Sequence, residues 1–294
     1  MTARSPLKTL FEAVAARRWD DAKAAAQALA AQEQARGRHA LARDLRRTLE
    51  PGATEQAFSV AAVSGSSLAP LPSDVSLQDV VLPEAVRREL EALLEERRHA
   101  ARLLKAGLGQ RKRLLLHGPP GCGKSMLARA LAVELKLPAY LVRFDALIGS
   151  WLGQTAQRVQ EVFQFASTVP SVVLVDEIDA VSRSRGRSND VGEMDRAVIA
   201  LLQGLEHQEP AGLFVATTNL AAHLDPAIWR RFDLVIELPR PSPSAVMAYA
   251  RARAAAGGLH INGELKTVGA RWKSFADAAR TIDDLRRRHI IEGE

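Results

Sequence analysis

Cysteine is all but missing from this chain: its 294 residues hold one, Cys122. A lone thiol cannot close an internal disulfide, which fits a reducing cytoplasm and excludes a disulfide-built scaffold. No apolar run reaches the ~18 residues that a bilayer span requires, so no membrane-spanning segment is expected. The opening stretch, MTARSPLKTLFEAVAARRWDD, lacks the uninterrupted apolar core of a signal peptide. Zinc-type Cys/His spacings and low-complexity repeats are absent too. What is present is a hydrophobic fraction of 47%, enough for a sizeable core in one large domain or two to three smaller ones. The net charge of +6 is spread as arginines among acids rather than gathered in a block. It reads as a mixed-charge surface, while leaving nucleic acid or an acidic protein open as partners.

The most informative stretch is RLLLHGPPGCGKSMLARALAVEL, residues 113–135. Leu114 to Leu116 reads as a buried strand, and Met126 to Leu135 as an amphipathic helix. Between them Gly118, Pro119, Pro120, Gly121, Cys122, Gly123, Lys124 and Ser125 fit the spacing G-x-x-x-x-G-K-[ST]. Glycines let backbone N–H groups close around phosphate oxygens, and the helix start aims its positive dipole end at the same anion. Lys124 is expected to reach the β- and γ-phosphates and Ser125 to ligate Mg²⁺, with Met126 closing the loop. Cys122 is either a small filler within the loop or a reactive thiol at a helix start.

Downstream the chain alternates strand and helix. Strands are expected at 139–144, 171–179, 212–217 and 234–238, and helices at 155–167 and 192–205. That alternation predicts an α/β fold: a parallel sheet with helices on both faces and a ligand site outside the carboxyl ends of the strands. Residues 83–105 read as one long charged helix, and 242–256 and 275–290 as the helices of a small α-helical lid. Residues 5–50 read as three short helices, the first beginning at Pro6 and the others near 20–36 and 39–50, that can form a small bundle. The stretch 51–75 is rich in Ser, Ala, Gly and Pro and reads as a flexible linker. The expected organisation is therefore a helical docking domain at 1–50, a linker at 51–75, an α/β domain at 76–239 and a lid at 240–294.

The run VVLVDEID ends in two adjacent carboxylates, Asp176 and Glu177. Neighbouring residues at a strand tip point to different sides, so Asp176 is expected to join the Mg²⁺ shell while Glu177 polarises the attacking water; an acidic turn after a strand is the other reading. Asp179 reads as structural. Asn219 ends the strand GLFVATT, where a neutral amide would bond both water and γ-phosphate. Arg230 and Arg231, after Asp225-Pro226, are either surface cations or arginines that stabilise transition-state charge.

GPPGCGKS, VVLVDEID, ATTN and AIWRRFD, in this order and spacing, resemble the AAA+ ATPases, and more narrowly the clade of katanin, spastin and the ESCRT-disassembling ATPase. The resemblance covers residues 76–294. It implies a Walker A loop at Gly118 to Ser125, Walker B carboxylates at Asp176 and Glu177, and sensor 1 at Asn219. It also implies that Arg230 and Arg231 serve a neighbouring subunit's nucleotide in a hexameric ring, with ATP and Mg²⁺ as cofactors. Asp79-Val80-Val81 matches the entry segment whose backbone contacts adenine, and Trp151, between Gly149 and Gly153, matches the first pore loop that grips polypeptide. Trp151 as a core tryptophan is the other reading. Residues 183–189 would fall at the second pore loop, or form an ordinary charged loop. The chain departs from the family pattern at Cys122, at Glu206 and in the lid, where Phe275-Ala276-Asp277 only loosely matches Gly-Ala-Asp and no sensor 2 arginine is carried over.

The expectation is thus a cytoplasmic, ATP-driven homo-oligomer that remodels, unfolds or translocates a protein substrate. Residues 1–50 would dock a partner, and a separate protease and a phage-defence setting are further analogies. The competing readings are a nucleic-acid motor or loader, and a nucleotide-gated scaffold with little turnover.

Overall fold

The computed structural model describes residues 19–35, 67–143, 155–179, 191–259 and 272–292. Chain contacts divide it into two units, Met1–Gly65 and Ser66–Glu294. In the first, helix α1 spans Trp19–Ala35, where a run of alanines favours helix and Ala25 and Ala30 are buried. It matches the second of the three helices expected there. The first and third lie outside the described residues.

The second unit holds a sheet of six strands: β1 (Leu68–Leu71), β2 (Arg113–His117), β3 (Ala139–Val142), β4 (Val172–Val175), β5 (Leu213–Thr218) and β6 (Leu234–Glu237). Their order is β1-β3-β4-β5-β2-β6. Every neighbouring pair is parallel except β1 with β3. All four residues of β4 and all six of β5 are buried, as continuous apolar strands between helical layers should be. The helices are α2 (Glu84–Arg98), α3 (Ala100–Lys105), α4 (Lys124–Leu135), α5 (Thr155–Thr168), α6 (Val191–His207), α7 (Pro226–Trp229), α8 (Pro243–Ala256) and α9 (Phe275–Glu292). The α/β fold with a mostly parallel sheet is therefore as the alternation predicts.

One apolar cluster joins Leu114 and Leu116 of β2, Leu127 and Leu131 of α4, Leu174 of β4, Val215 of β5 and Leu90 of α2. Burying a leucine of this kind contributes about 1.5–3 kcal/mol, so this cluster fixes α4 and its preceding loop against the strand ends. A second cluster belongs to the lid: Val246, Ala250 and Ala254 of α8 meet Trp272, Ala278 and Ile282. Trp272 Nε1 donates to Thr281 Oγ1 at 3.0 Å, which satisfies the indole within that small core.

Two expectations need correcting. The linker read over 51–75 does not run that far, because Leu68–Leu71 is strand β1, paired antiparallel with β3. Pro70 makes the stretch look like linker. It is tolerated because β1 is an edge strand, where a missing N–H costs no ladder bond. The long helix read over 83–105 is interrupted at His99, which leaves the helical region at φ −106° and ψ 20°. Pro83 serves as its N-cap, with Glu84 the first helical residue.

Candidate active site

The parallel order places the ends of β4, β5 and β2 side by side. Each end carries one part of the expected machinery. After β2 comes the glycine-rich loop, whose Gly118 stands at φ +143°, Gly121 at +76° and Gly123 at +94°. A Cβ on Gly118 would lie 2.1 Å from the Leu238 carbonyl oxygen, so only glycine fits where the loop crosses the β6 end. After β4 come Asp176 and Glu177, and after β5 comes Asn219.

These side chains are joined by direct hydrogen bonds. Lys124, the first residue of α4 and only 6% exposed, donates Nζ to the carbonyls of Gly118 (2.7 Å) and Pro119 (2.9 Å) and to Asn219 Oδ1 (2.7 Å). Asn219 in turn donates Nδ2 to Glu177 Oε1 at 3.0 Å. Ser125 Oγ donates to Asp176 Oδ2 at 2.8 Å. Burial pulls the Lys124 ammonium below its ordinary pKa, opposed by Cys122 and by the carboxylates of Asp176, Asp179 and Glu177. Glu177 stands at φ +54°, a conformation that a non-glycine residue rarely adopts and that costs on the order of 1–3 kcal/mol.

A cavity of about 350 Å³ opens over this cluster. Its floor is Gly123, Lys124, Ser125, Asp176, Glu177 and Asn219, and Pro120, Gly121 and Met126 line it beside them. The C-terminal helices line its other wall with Tyr249, Phe275, Ala276 and Ala279. The two lid aromatics stand 5.2 Å apart between ring centres. The lid also grips the loop directly, because the Phe275 N–H donates to the Gly121 carbonyl at 3.1 Å. The volume falls within the ~300–1,000 Å³ of small-molecule sites, and its polar end offers backbone amides, a cation and carboxylates.

The Ser125 hydroxyl and the Asp176 carboxylate are hard oxygen donors, the set that Mg²⁺ takes when it keeps waters and shares a substrate's phosphates. Their 2.8 Å contact puts both on one side of the cavity floor, so these residues fit that ion.

Other expected residues fall elsewhere. Gly118 and Pro119 meet Lys124 through their carbonyls without lining the cavity. Cys122 is 5% exposed and packs into the main core, and burial raises its thiol pKa, so it is the filler and not a reactive thiolate. The Asp79 carboxylate accepts the Ser76 N–H at 2.9 Å in a capping box, and Val80 is buried in the core; neither lines the cavity. Asp179 is buried and accepts the Thr218 hydroxyl at 2.7 Å. Arg230 is exposed and Arg231 half-buried, both away from this cavity, with Arg231 Nη2 donating to Glu206 Oε2 at 2.8 Å. They follow the short helix α7, which is capped by Asp225 and anchored by buried Ile228 and by Trp229, edge-on to His117 at 5.2 Å. Trp151 and residues 183–189 lie outside the described residues.

Sequence reasoning missed Tyr249 and Ala279 as cavity residues, since nothing local marks them. Phe275 and Ala276, where the chain departs from the family pattern, line that wall too. Thr217 was missed as well. Its hydroxyl touches both Asp176 and Glu177.

The profile of the ATPase family associated with various cellular activities (AAA) matches residues 114–240, the span from β2 past β6. The AAA family ATPase y4kL of Sinorhizobium fredii, described as uncharacterized, is 34% identical over 284 residues, covering 93% of this chain and 86% of that protein. The ATP-dependent zinc metalloprotease FtsH 2 of Symbiobacterium thermophilum is 33% identical over 238 residues, 78% of this chain and 40% of its own length. The human peroxisomal ATPase PEX6 is 39% identical over 174 residues, 57% of this chain and 18% of its own. The chain thus spans most of y4kL but less than half of FtsH 2 and under a fifth of PEX6. Match length and site geometry agree: this chain belongs to the AAA family and is an ATPase.

Proposed function

We propose that the chain is a ring-forming AAA motor, one that hydrolyses ATP over the strand ends and uses the energy to remodel, unfold or translocate a protein substrate. The observation that carries the chemistry is the bonded series Lys124–Asn219–Glu177 beside Ser125–Asp176. It gathers a phosphate cation, a water-orienting carboxylate and a metal-binding pair on one cavity floor. In this reading Lys124 turns from the loop carbonyls to the β- and γ-phosphates, which also receive the loop's N–H groups and the α4 dipole. Ser125 and Asp176 would hold Mg²⁺, which would supply neutralisation of phosphate charge. Glu177 orients and polarises the attacking water, and Asn219 positions it against the γ-phosphate. The base end of the nucleotide lies toward Tyr249 and Phe275, with the backbone of residues 79–81 as its contact on the other side.

Arg230 and Arg231 stand outside their own cavity, at the end of an anchored helix. That position suits a charge delivered to a neighbour's nucleotide, and hence a homo-oligomer, as a hexamer in the family manner. The narrower kinship to the katanin and spastin clade rests on GPPGCGKS, VVLVDEID, ATTN and AIWRRFD taken together. The protein substrate rests on Trp151 between two glycines and on the kinship to FtsH 2, an ATP-dependent metalloprotease by its name. Residues 1–50 serve as docking domain, ahead of a linker that ends before β1, an ATPase domain and the lid from 240. The setting is cytoplasmic; among the described residues no helix is long and apolar enough to cross a membrane.

The test is Trp151→Ala, assayed for ATP turnover with and without an unfolded polypeptide, and for thermal unfolding, on one preparation. The expected result is basal turnover within a few-fold of wild type and loss of polypeptide stimulation. Marked destabilisation, with a large-to-small core loss of ~3–5 kcal/mol and turnover lost in proportion, overturns the gripping role.

A further inference from the structure

We infer that Thr217 is a positioning residue for ATP hydrolysis, its hydroxyl setting the pose of both carboxylates that the chemistry uses. This rests on the roles proposed above for Asp176 and Glu177.

The register of the sheet puts Thr217 where it must act. Val175 pairs with Ala216, so the next residue of β5 faces the turn that begins at Asp176. Leu116, two residues before the glycine-rich loop, pairs with Thr217 on the other side. Thr217 is fully buried. Its hydroxyl donates to Asp176 Oδ1 and accepts the Glu177 N–H at 3.0 Å. Its carbonyl accepts the next N–H, that of Ile178, at 2.9 Å. One residue therefore takes two consecutive N–H groups of the turn and one oxygen of the metal-binding carboxylate.

The consequences differ for the two carboxylates. Asp176 is held from both sides, Oδ1 by Thr217 and Oδ2 by Ser125. That fixes the plane of the carboxylate and so the direction in which it presents an oxygen to a cation, the part that an outer partner plays for a metal ligand. Glu177 is held through its backbone at φ +54°. An unfavoured backbone of this kind persists only where its surroundings determine it, and the Thr217 hydroxyl meets the N–H of that residue. Valine has nearly the same shape and fits a buried strand at least as well, so packing alone does not call for the hydroxyl. Thr218, by contrast, turns its hydroxyl to Asp179 and the Leu220 N–H, away from the metal-binding pair.

The test compares Thr217→Val and Thr217→Ser with wild type, with Glu177→Gln as control. Three quantities are read: the Mg²⁺ dependence of ATP turnover, the affinity for a fluorescent ATP analogue in Mg²⁺ and in EDTA, and the melting temperature. For Thr217→Val we expect kcat about 10–100-fold lower and a higher Mg²⁺ midpoint. Its EDTA affinity should match wild type, and the gain in affinity on adding Mg²⁺ should shrink. Thr217→Ser keeps the hydroxyl and should restore each of these. Wild-type kcat and Mg²⁺ midpoint in the valine variant overturn the inference. So does a serine variant as impaired as the valine one, or a fall in EDTA affinity that parallels the fall in turnover, either of which marks Thr217 as merely structural. If Glu177→Gln hydrolyses ATP normally, the underlying site reading has failed; if it is inert while Thr217→Val is normal, only the role of Thr217 has.

Discussion

Asn219 donates its side-chain amide to the carboxylate of Glu177, Nδ2 to Oε1 at 3.0 Å. The oxygen of the same amide accepts from Lys124 at 2.7 Å. The amide at the end of β5 therefore contacts both the cation of the phosphate loop and the carboxylate of the β4 turn. In the proposed function, a γ-phosphate that draws Lys124 forward would also change what Asn219 holds, and so the freedom of Glu177, linking binding to water activation through one side chain.

The seam between lid and loop gives a first prediction. A Cβ on Gly121 would stand 2.7 Å from Ser274 Oγ and 3.1 Å from Ala276 Cβ, at φ +76°. Gly121→Ala should therefore push the lid from the loop, and the unfavourable backbone adds roughly 1–2 kcal/mol. A lower melting temperature together with weaker nucleotide binding is expected in thermal unfolding and nucleotide titration. Wild-type values in both would show that the lid does not depend on this contact.

The arginines give a second. Arg230→Ala and Arg231→Ala should lose ATP turnover while each subunit still binds ATP. Lys124→Ala should lose ATP binding, since it removes the cation at the phosphates. Mixing Arg231→Ala with Lys124→Ala protein should recover part of the activity, because one supplies an intact cavity and the other an intact arginine. The measurement is turnover over a full range of mixing ratios, with mixed rings verified. Absence of recovery argues against action across subunits.

A third concerns pH. Arg253 on α8 donates Nε and Nη2 to Asp283 on α9, with Nη2 2.9 Å from Oδ2. The hydrogen bond from Arg253 holds the Asp283 carboxyl below its ordinary pKa, against partial burial. A carboxyl with a lower pKa folded than unfolded contributes its full stability above the unfolded value of about 3.9, and loses it as pH falls through the folded value. The pair is about a third exposed, so its contribution is about 0.2–1 kcal/mol. Asp283→Asn should lower the melting temperature near neutral pH and flatten its fall on acidification below about pH 4. An acid profile identical to wild type would remove this bridge from the lid's stability.

Much of the site was legible because its parts are contiguous in sequence. Gly118 to Ser125 are eight neighbours whose backbone needs only glycine and a helix start, and Asp176-Glu177 closes an unbroken apolar strand. The strands of the parallel sheet are marked by the same apolar runs, though not the order in which they pair. What was not legible depends on partners distant in sequence. β1 hid behind Pro70, whose tolerance depends on an edge position. Thr217 is an ordinary strand residue until the register with β4 sets it against Asp176. Tyr249 gains its place only because the lid folds back over the loop. The capping contact of Asp79 and the burial of Val80 could not be read from their spacing either.

The proposed function places ATP hydrolysis at Glu177, over the floor formed by Lys124, Ser125, Asp176 and Asn219. The most direct measurement is ATP binding and steady-state hydrolysis by Glu177→Gln beside wild type, with assembly state followed by sedimentation. The amide keeps the shape of the side chain but cannot polarise water as a carboxylate does. On that reading, ATP affinity should stay near wild type, turnover should fall by about 100-fold or more, and assembled rings holding ATP should accumulate. Turnover at the wild-type rate in a variant that binds ATP normally would contradict it.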